Sequence, residues 1–300
     1  MRKQKIKQKL FDKGVEALQK ITGKKLELYL CPICANGFNR HDLDTGTLTL
    51  EHVPPKSLRG KTTVLTCKKC NSTAGHSIDA AIVNRERLFS SIEALVQKSG
   101  SFEGRADLEI GGKTANVNLQ VDNGSVTIKP VKERNPPETL KSLKDYMIKL
   151  AQEGRWDGEE FKLTPRVSFH QWLSKVGDLR TAYLICFAFF GYRYILNSRV
   201  MNVRRQIIEY NEPIIDRFWV SSDESLEDKY GLYLLAKPIS SIAVKISKFT
   251  MILPWLDGPD DIYRYLSERY PGEAKISFSG ERLRWPQSLE LNLDFYEPST

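Results

Sequence analysis

Four of the five cysteines in this 300-residue chain fall into two C-x-x-C pairs, Cys31 with Cys34 and Cys67 with Cys70, leaving Cys186 alone in an apolar stretch. Two such turns can deliver four thiolates to one tetrahedral zinc ion at about 2.3 Å, each knuckle supplying two ligands. Redox chemistry and unpaired thiols are the competing readings, and disulfides are not expected in a reducing compartment. Simple zinc ribbons separate their pairs by roughly 15–20 residues, whereas 32 residues lie between Cys34 and Cys67. The spacing predicts a hairpin-sized insert held inside a zinc clasp.

That insert contains L-T-L-E-H-V-P-P-K-S-L-R-G-K, residues 48–61, and the second knuckle reads C-K-K-C-N before a helical run. Zinc at its base would bring Glu51, His52 and Asn71 together although about twenty residues separate the first two from the third. The trio suits phosphodiester hydrolysis. A cation such as Mg²⁺ prefers hard oxygen ligands and keeps several waters, so one carboxylate and one amide oxygen suffice when substrate phosphate completes the shell. Glu51 and Asn71 offer those oxygens. His52, with a reference pKa near 6.5, can take a proton from an attacking water at neutral pH. Strand alternation sends Glu51 and His52 to opposite faces unless a bulge or strand end re-aims one. Pro54-Pro55 marks such a strand end.

Lys56, Arg59, Lys61, Lys68 and Lys69 crowd the same segment and could hold a nucleic-acid backbone in register, or simply form a solvated face. Asn71 could also cap the helix it precedes. His76, five residues further on, is a possible additional metal ligand or phosphate contact, as is Asp79; the plain alternative for both is a partly exposed helix position. His41 reads as solvated or as a phosphate contact, and His170 as structural. Arg193, Arg199, Arg204 and Arg205 read as lying along one long helix, where they could extend a nucleic-acid track, bind a partner or pair with nearby acids. Phe187, Phe189, Phe190, Tyr192 and Tyr194 read as core rather than as a base-stacking platform.

The elements that must position these groups follow from the pattern. Residues 1–25 form a Lys-rich helix with an apolar stripe of Leu10, Phe11, Val15, Leu18 and Ile21. Residues 26–100 carry short strands at Leu26–Leu30 and Leu48–Glu51 and a helix over Asn71–Lys98. Alternating strands follow between Arg105 and Val131, with turns at Gly111-Gly112 and Asp122-Asn123-Gly124. A helix starts after Pro136-Pro137. A Gly- and charge-rich bridge then leads to a helical region over Ser168–Tyr210, in which Ala182, Ile185, Cys186, Phe189 and Phe190 face the core. Strands return at Tyr230–Pro238, Ser241–Trp255 and Ser288–Phe295. The expected class is α+β: a small zinc-stapled ββα module followed by a larger mixed α+β domain.

Composition narrows the partners. Hydrophobic residues make up 41% and charged residues 27%, which excludes wholesale disorder. No apolar run reaches the ~20 residues of a membrane span. The start, M-R-K-Q-K-I-K-Q-K-L-F, lacks the apolar core of a signal peptide, so a cytoplasmic location is expected. Lys and Arg total 45 against 37 Asp and Glu, a net charge of +8, and a basic surplus favours polyanionic partners through counterion release.

C-P-I-C, L-E-H-V-P-P-K-S-L-R-G-K and L-T-C-K-K-C-N resemble the ββα-metal fold of HNH endonucleases in its zinc-clasped variety, with a motif layout similar to that of phage endonuclease VII. The resemblance covers residues 26 to about 85. It implies a metal-dependent endonuclease that hydrolyses phosphodiester bonds of nucleic acid, DNA before RNA, leaving 5′-phosphate and 3′-hydroxyl ends. It also implies His52 as general base, Mg²⁺ or Mn²⁺ on Glu51 and Asn71, and structural zinc on Cys31, Cys34, Cys67 and Cys70. Domains are then expected as a basic helical segment over 1–25, the HNH domain over 26–100, and a 101–300 domain for substrate selection, oligomerisation, a partner protein or regulation. Family habit suggests roles such as defence. Glu51 stands where Asp is commoner, Asn71 is a variant the family also uses, and Thr62 or Thr63 must replace a middle asparagine. The alternative is a non-catalytic, zinc-stabilised nucleic-acid-binding module.

Overall fold

A computed structural model describes residues 2–96, 101–123, 125–155, 160–166, 170–221, 229–272 and 276–291. The chain forms two compact units, Met1–Ile82 together with Gln171–Thr300, and Val83–His170.

The first unit opens with α1 (Arg2–Thr22), whose Leu10, Phe11, Ala17 and Leu18 are buried while most of its lysines stay exposed. β1 (Tyr29–Leu30) and β2 (Gly37–Phe38) pair antiparallel around the first cysteine knuckle. After α2 (His41–Asp44) come β3 (Leu48–Val53) and β4 (Thr62–Cys67), joined in an antiparallel hairpin. Their register runs without interruption from Leu48 opposite Cys67 to Val53 opposite Thr62. The loop between them doubles back so tightly that a Cβ on Gly60 would lie 1.6 Å from the Pro54 carbonyl oxygen. Only glycine fits there. α3 (Lys68–Val96) begins directly after Cys67.

The second unit takes in the end of α3, from Val83, and a four-stranded antiparallel sheet with the helix that follows its third strand; the strand order is β7-β6-β5-β8. Its elements are β5 (Ser101–Ile110), β6 (Lys113–Asp122), β7 (Ser125–Pro130), α4 (Pro137–Gln152) and β8 (Phe161–Pro165). Alternation along β5 and β6 buries Ala106, Leu108, Ala115 and Val117 in one cluster with Leu143 and Leu150 of α4. Gly111 (φ 54°) and Gly112 (φ 71°) close the β5–β6 hairpin between Ile110 and Lys113. Both central positions need positive φ, as a two-residue turn of this kind requires.

Back in the first unit, α5 (Gln171–Phe190) is buried on all sides from Val176 to Phe190, the signature of a helix running through a core. α6 (Tyr192–Ile195), a 3₁₀ turn (Ser198–Val200) and α7 (Met201–Ile208) follow. A sheet of order β13-β10-β11-β12-β9 is made by β9 (Trp219–Ser221), β10 (Tyr230–Lys237), β11 (Ser241–Ile246), β12 (Phe249–Pro254) and β13 (Ser279–Leu283). α8 (Ile262–Arg269) is capped by the Asp261 carboxylate, which accepts from the Tyr263 and Arg264 N–H groups. Among the described residues, no helix is long and apolar enough to cross a membrane.

The α+β class and the expected core residues of α5 are as read from the sequence. Two expectations fail. The single helix over Ser168–Tyr210 is broken at Gly191 (φ 75°), so Arg193 lies in α6, Arg199 in the 3₁₀ turn, and Arg204 and Arg205 in α7. Within Ser288–Phe295, the described Ser288–Leu291 is not a strand; the edge of β10 is taken instead by β13, with Leu232 opposite Leu283. The N–H groups of Glu290 and Leu291 both donate to the Ala188 carbonyl near the end of α5, where a helix leaves carbonyls without intrahelical partners. Leu291 has φ 54°, which takes the chain out of extended geometry. Residues 292–295 lie outside the described residues.

Candidate functional site

The sulfurs of Cys31, Cys34, Cys67 and Cys70 all lie within 4.8 Å of one another, and none is in a disulfide. Register explains half of this: Cys67 ends β4 and continues straight into the first turn of α3, which carries Cys70. The first knuckle is brought in by the short β1–β2 ladder and by tyrosines. Tyr183 of α5 donates to the Pro32 carbonyl at 2.6 Å, Tyr192 bonds both backbone groups of Leu30 at 3.1 Å, and Tyr29 donates to the Leu65 carbonyl of β4 at 2.9 Å. The Cys67 N–H points at Cys31 Sγ (3.4 Å) and the Cys70 N–H at Cys67 Sγ (3.5 Å). Hydrogen bonds from Cys31 lower the Cys34 and Cys67 thiols, while donating to its neighbours raises Cys31. Four convergent sulfurs with backbone donors aimed at them fit tetrahedral zinc.

Three rungs along the hairpin, Glu51 is only 5% exposed. Thr66 Oγ1 donates to its Oε2 at 2.6 Å, and Oε1 is ion-paired with Nη2 of Arg180 from α5. Arg180, 3% exposed, also reaches Asp79 of α3, with Nη1 3.4 Å from Oδ1. The Glu51–Arg180 approach lacks hydrogen-bond alignment, so Glu51 Oε1 and Arg180 Nε and Nη2 are buried without a hydrogen-bond partner. Burial raises the Glu51 carboxyl, with Arg180 and Thr66 pulling it back; burial likewise raises Asp79 against the pull of Arg180. Asn71 stands on the same side: its Nδ2 donates to Thr49 Oγ1 at 2.9 Å, leaving Oδ1 as the oxygen it can offer. Thr49, opposite Thr66, shares a face with Glu51 two residues on.

The uninterrupted register keeps His52 on the other face of β3. It is half-buried, and burial together with the nearby charges of Lys56 and of Lys3 from α1 lowers its pKa. All three effects favour the neutral imidazole. Lys7, one turn along α1, donates to the Leu48 carbonyl at 3.0 Å, which fixes the basic helix beside β3. Lys56, Arg59 and Lys61 are exposed in the hairpin loop, Arg59 in left-handed geometry (φ 63°), and Lys68 and Lys69 are exposed at the start of α3. Thr62 at the head of β4 donates to the Pro286 carbonyl, and Thr63 sits opposite His52.

Of the remaining residues singled out by sequence, His41 is exposed at the start of α2 and His170 is exposed in the second unit. His76 falls on α3, its side chain outside the described residues. Arg199 is used structurally, by the Leu256 and Gly258 carbonyls and Asp260, and Arg205 pairs with Glu209. The aromatic group of α5 and α6 is core. Sequence reading missed Arg180. A buried charge must find a partner, and an arginine inside V-G-D-L-R-T-A-Y-L-I-C-F-A-F-F was the available signal.

Fold and site thus define an α+β protein with a four-thiol centre at the base of a ββα hairpin. Residues 31–86 match the family model described as HNH endonuclease. No curated protein and no solved structure matches the chain. The match and the cysteine cluster together fit this region to an HNH family, indicate a nuclease-type domain whose substrate class is nucleic acid, and are compatible with bound zinc.

Proposed function

We propose that the chain is a metal-dependent HNH endonuclease hydrolysing phosphodiester bonds of nucleic acid, DNA in the first place, through residues of the N-terminal ββα module. The observation that carries this reading is the placement of Glu51 and Asn71 on one face of a hairpin whose base holds the four cysteines, inside the stretch that matches the HNH model. The same layout supports the narrower likeness to phage endonuclease VII. The donor set fits a hard divalent cation. Asn71 keeps an amide oxygen that its bond to Thr49 does not use, while Glu51 Oε1 is held by the Arg180 guanidinium that Asp79 shares, so a cation on this pair requires Arg180 to yield Glu51.

Glu51 and Asn71 would hold Mg²⁺ or Mn²⁺, which when bound would supply positive charge for the scissile phosphate and its departing oxygen. His52, kept neutral, accepts the proton of the attacking water. Lys56, Arg59, Lys61, Lys68 and Lys69 hold the backbone by its phosphates and carry no sequence preference. Glu51 and His52 project from opposite faces of β3, a strand paired on one side only, so for both to serve one phosphate it would have to reach across the unpaired edge of the hairpin. The cysteines hold structural zinc.

Plasmid nicking with Mg²⁺ or Mn²⁺ tests this reading. Wild type is expected to nick, and His52→Ala to lose about 10²–10⁴-fold in rate with zinc content and fold retained. The second reading, a zinc-stabilised nucleic-acid reader, is favoured by the Glu51–Arg180 pair. Nucleic-acid binding without nicking by wild type and variant alike would establish it.

A further inference from the structure

Arg180 is a buried cation placed against the proposed cation ligand by a helix outside the ββα module. Its guanidinium touches two carboxylates of different standing. Glu51 is sealed in the hairpin, whereas the Asp79 side chain is 25% exposed on α3. Arg180 Nε and Nη2 lack hydrogen-bond partners, so neither contact fully satisfies the group. Beside it lies a cavity of about 120 Å³, bordered also by Ile33, Cys70, Ile78 and Tyr210. Its Nη1 already donates to Asp79 Oδ1 at 3.4 Å, so the guanidinium can change its principal partner without leaving the site.

We propose that Arg180 is a positioning residue that holds Glu51 by charge and yields it to a divalent cation by moving onto Asp79, so that α5 sets the affinity of the catalytic site for that cation. This rests on the reading of Glu51 as a cation ligand. A fixed cation at the carboxylate opposes a divalent ion, while the alternative seat at Asp79 reduces that opposition. Arg180 therefore works against cation binding and Asp79 works for it, although Asp79 is not itself a ligand. Ions enter by displacing a paired charge, so the two substitutions carry opposite signs.

Mn²⁺ binding to the full-length, zinc-loaded chain, followed by the paramagnetic resonance of free Mn²⁺, reads this directly. Asp79→Asn is expected to weaken Mn²⁺ binding and Arg180→Met to tighten it, each by roughly tenfold or more, the scale of one unit charge beside the ion. In the Arg180→Met background, Asp79→Asn has little left to change, because its seat is no longer needed. Equal effects of Asp79→Asn in both backgrounds would make Asp79 an ordinary contributor of charge and overturn the handover, as would shifts of the same sign in the two single variants. If Arg180→Met does not fold, Arg180→Gln, which keeps a hydrogen-bond donor without the charge, carries the same comparison: a smaller effect of Asp79→Asn in that background supports the handover, and an equal effect overturns it. Wild type that binds no Mn²⁺ and does not nick removes the Glu51 reading itself. Wild type that binds Mn²⁺ while Asp79→Asn binds it equally removes only the handover.

Discussion

The four-thiol cluster and the Glu51 carboxylate are built on the same hairpin, three rungs apart, yet they are completed in different ways. All four sulfurs come from residues 31–70, and two of them follow from the way β4 runs into α3. Glu51 receives its counter-charge from Arg180, a residue 129 positions later in the chain. One centre draws all its ligands from a short stretch of chain, with Tyr183 and Tyr192 bracing only the backbone of its first knuckle. The other exists only because α5 has packed against β3 and β4. A hairpin can carry half of a four-thiol cluster and still depend on distant sequence for the electrostatics of its buried carboxylate.

The largest effect that would break this comparison is loss of the cluster. Metal binding to such sites is coupled to folding, with apparent free energies of about 10–16 kcal/mol in zinc-finger peptides. Tyr183 and Tyr192 also hold the first knuckle, so only part of that should appear here. Cys67→Ser is expected to release the single zinc and lower stability by about 4 kcal/mol, a fall in Tm of roughly 10 °C for a unit of this size. Zinc stoichiometry and a thermal melt check it. A variant that keeps its Tm would mean that α5 and the tyrosines position the module unaided, which would erase the distinction between the two centres.

A smaller effect sharpens the contrast between the two faces of β3. His52 looks towards cations of the loop and of α1, while Glu51 looks into a sealed pair. Replacing Lys56, Arg59 and Lys61 together by Gln should weaken binding of duplex DNA about uniformly across sequences. It should also reduce the slope of log K against log salt by about one for each phosphate that is no longer neutralised. Zinc content and Mn²⁺ affinity should not change. Fluorescence anisotropy across a salt series gives both quantities. An unchanged slope would place the backbone elsewhere on the surface.

What the sequence disclosed divides along the same line. The knuckles, the stripe of α1, and the β5–β6 turn at Gly111-Gly112 are local patterns, and spacing alone exposes them. Arg180 meets Glu51 through tertiary packing, which leaves no periodic trace beyond a charge set in an apolar helix. β13, S-G-E-R-L, is exposed along most of its length and therefore shows no alternation. Ser288–Phe295 shows alternation, yet its Glu290 and Leu291 amides are spent on the end of α5. Gly191 lies in a run that otherwise reads as continuous helix, and its positive φ separates α5 from α6.

The smallest effect concerns protonation on the His52 face. Burial lowers the imidazole pKa, and Lys56 and Lys3 lower it further, because each adds positive charge beside a group that becomes positive on protonation. A general base must be neutral, so nicking should rise with pH along an acid limb set by this group, and the limb should lie below the ordinary histidine value. Removing one of the cations reverses part of the shift: Lys56→Gln should move the limb towards higher pH and leave the plateau rate at saturating DNA unchanged. The sign for folding is the same. In the interval between the lowered native pKa and the ordinary value, the unfolded chain binds more protons, so this group's contribution to stability is present above that interval and is lost as pH falls through it. Lys56→Gln narrows the interval and lessens that loss. A pH–rate series on wild type and Lys56→Gln, with melts in the same buffers, reads both. A limb that moves towards lower pH, or does not move, would show that the titrating base is some group other than His52.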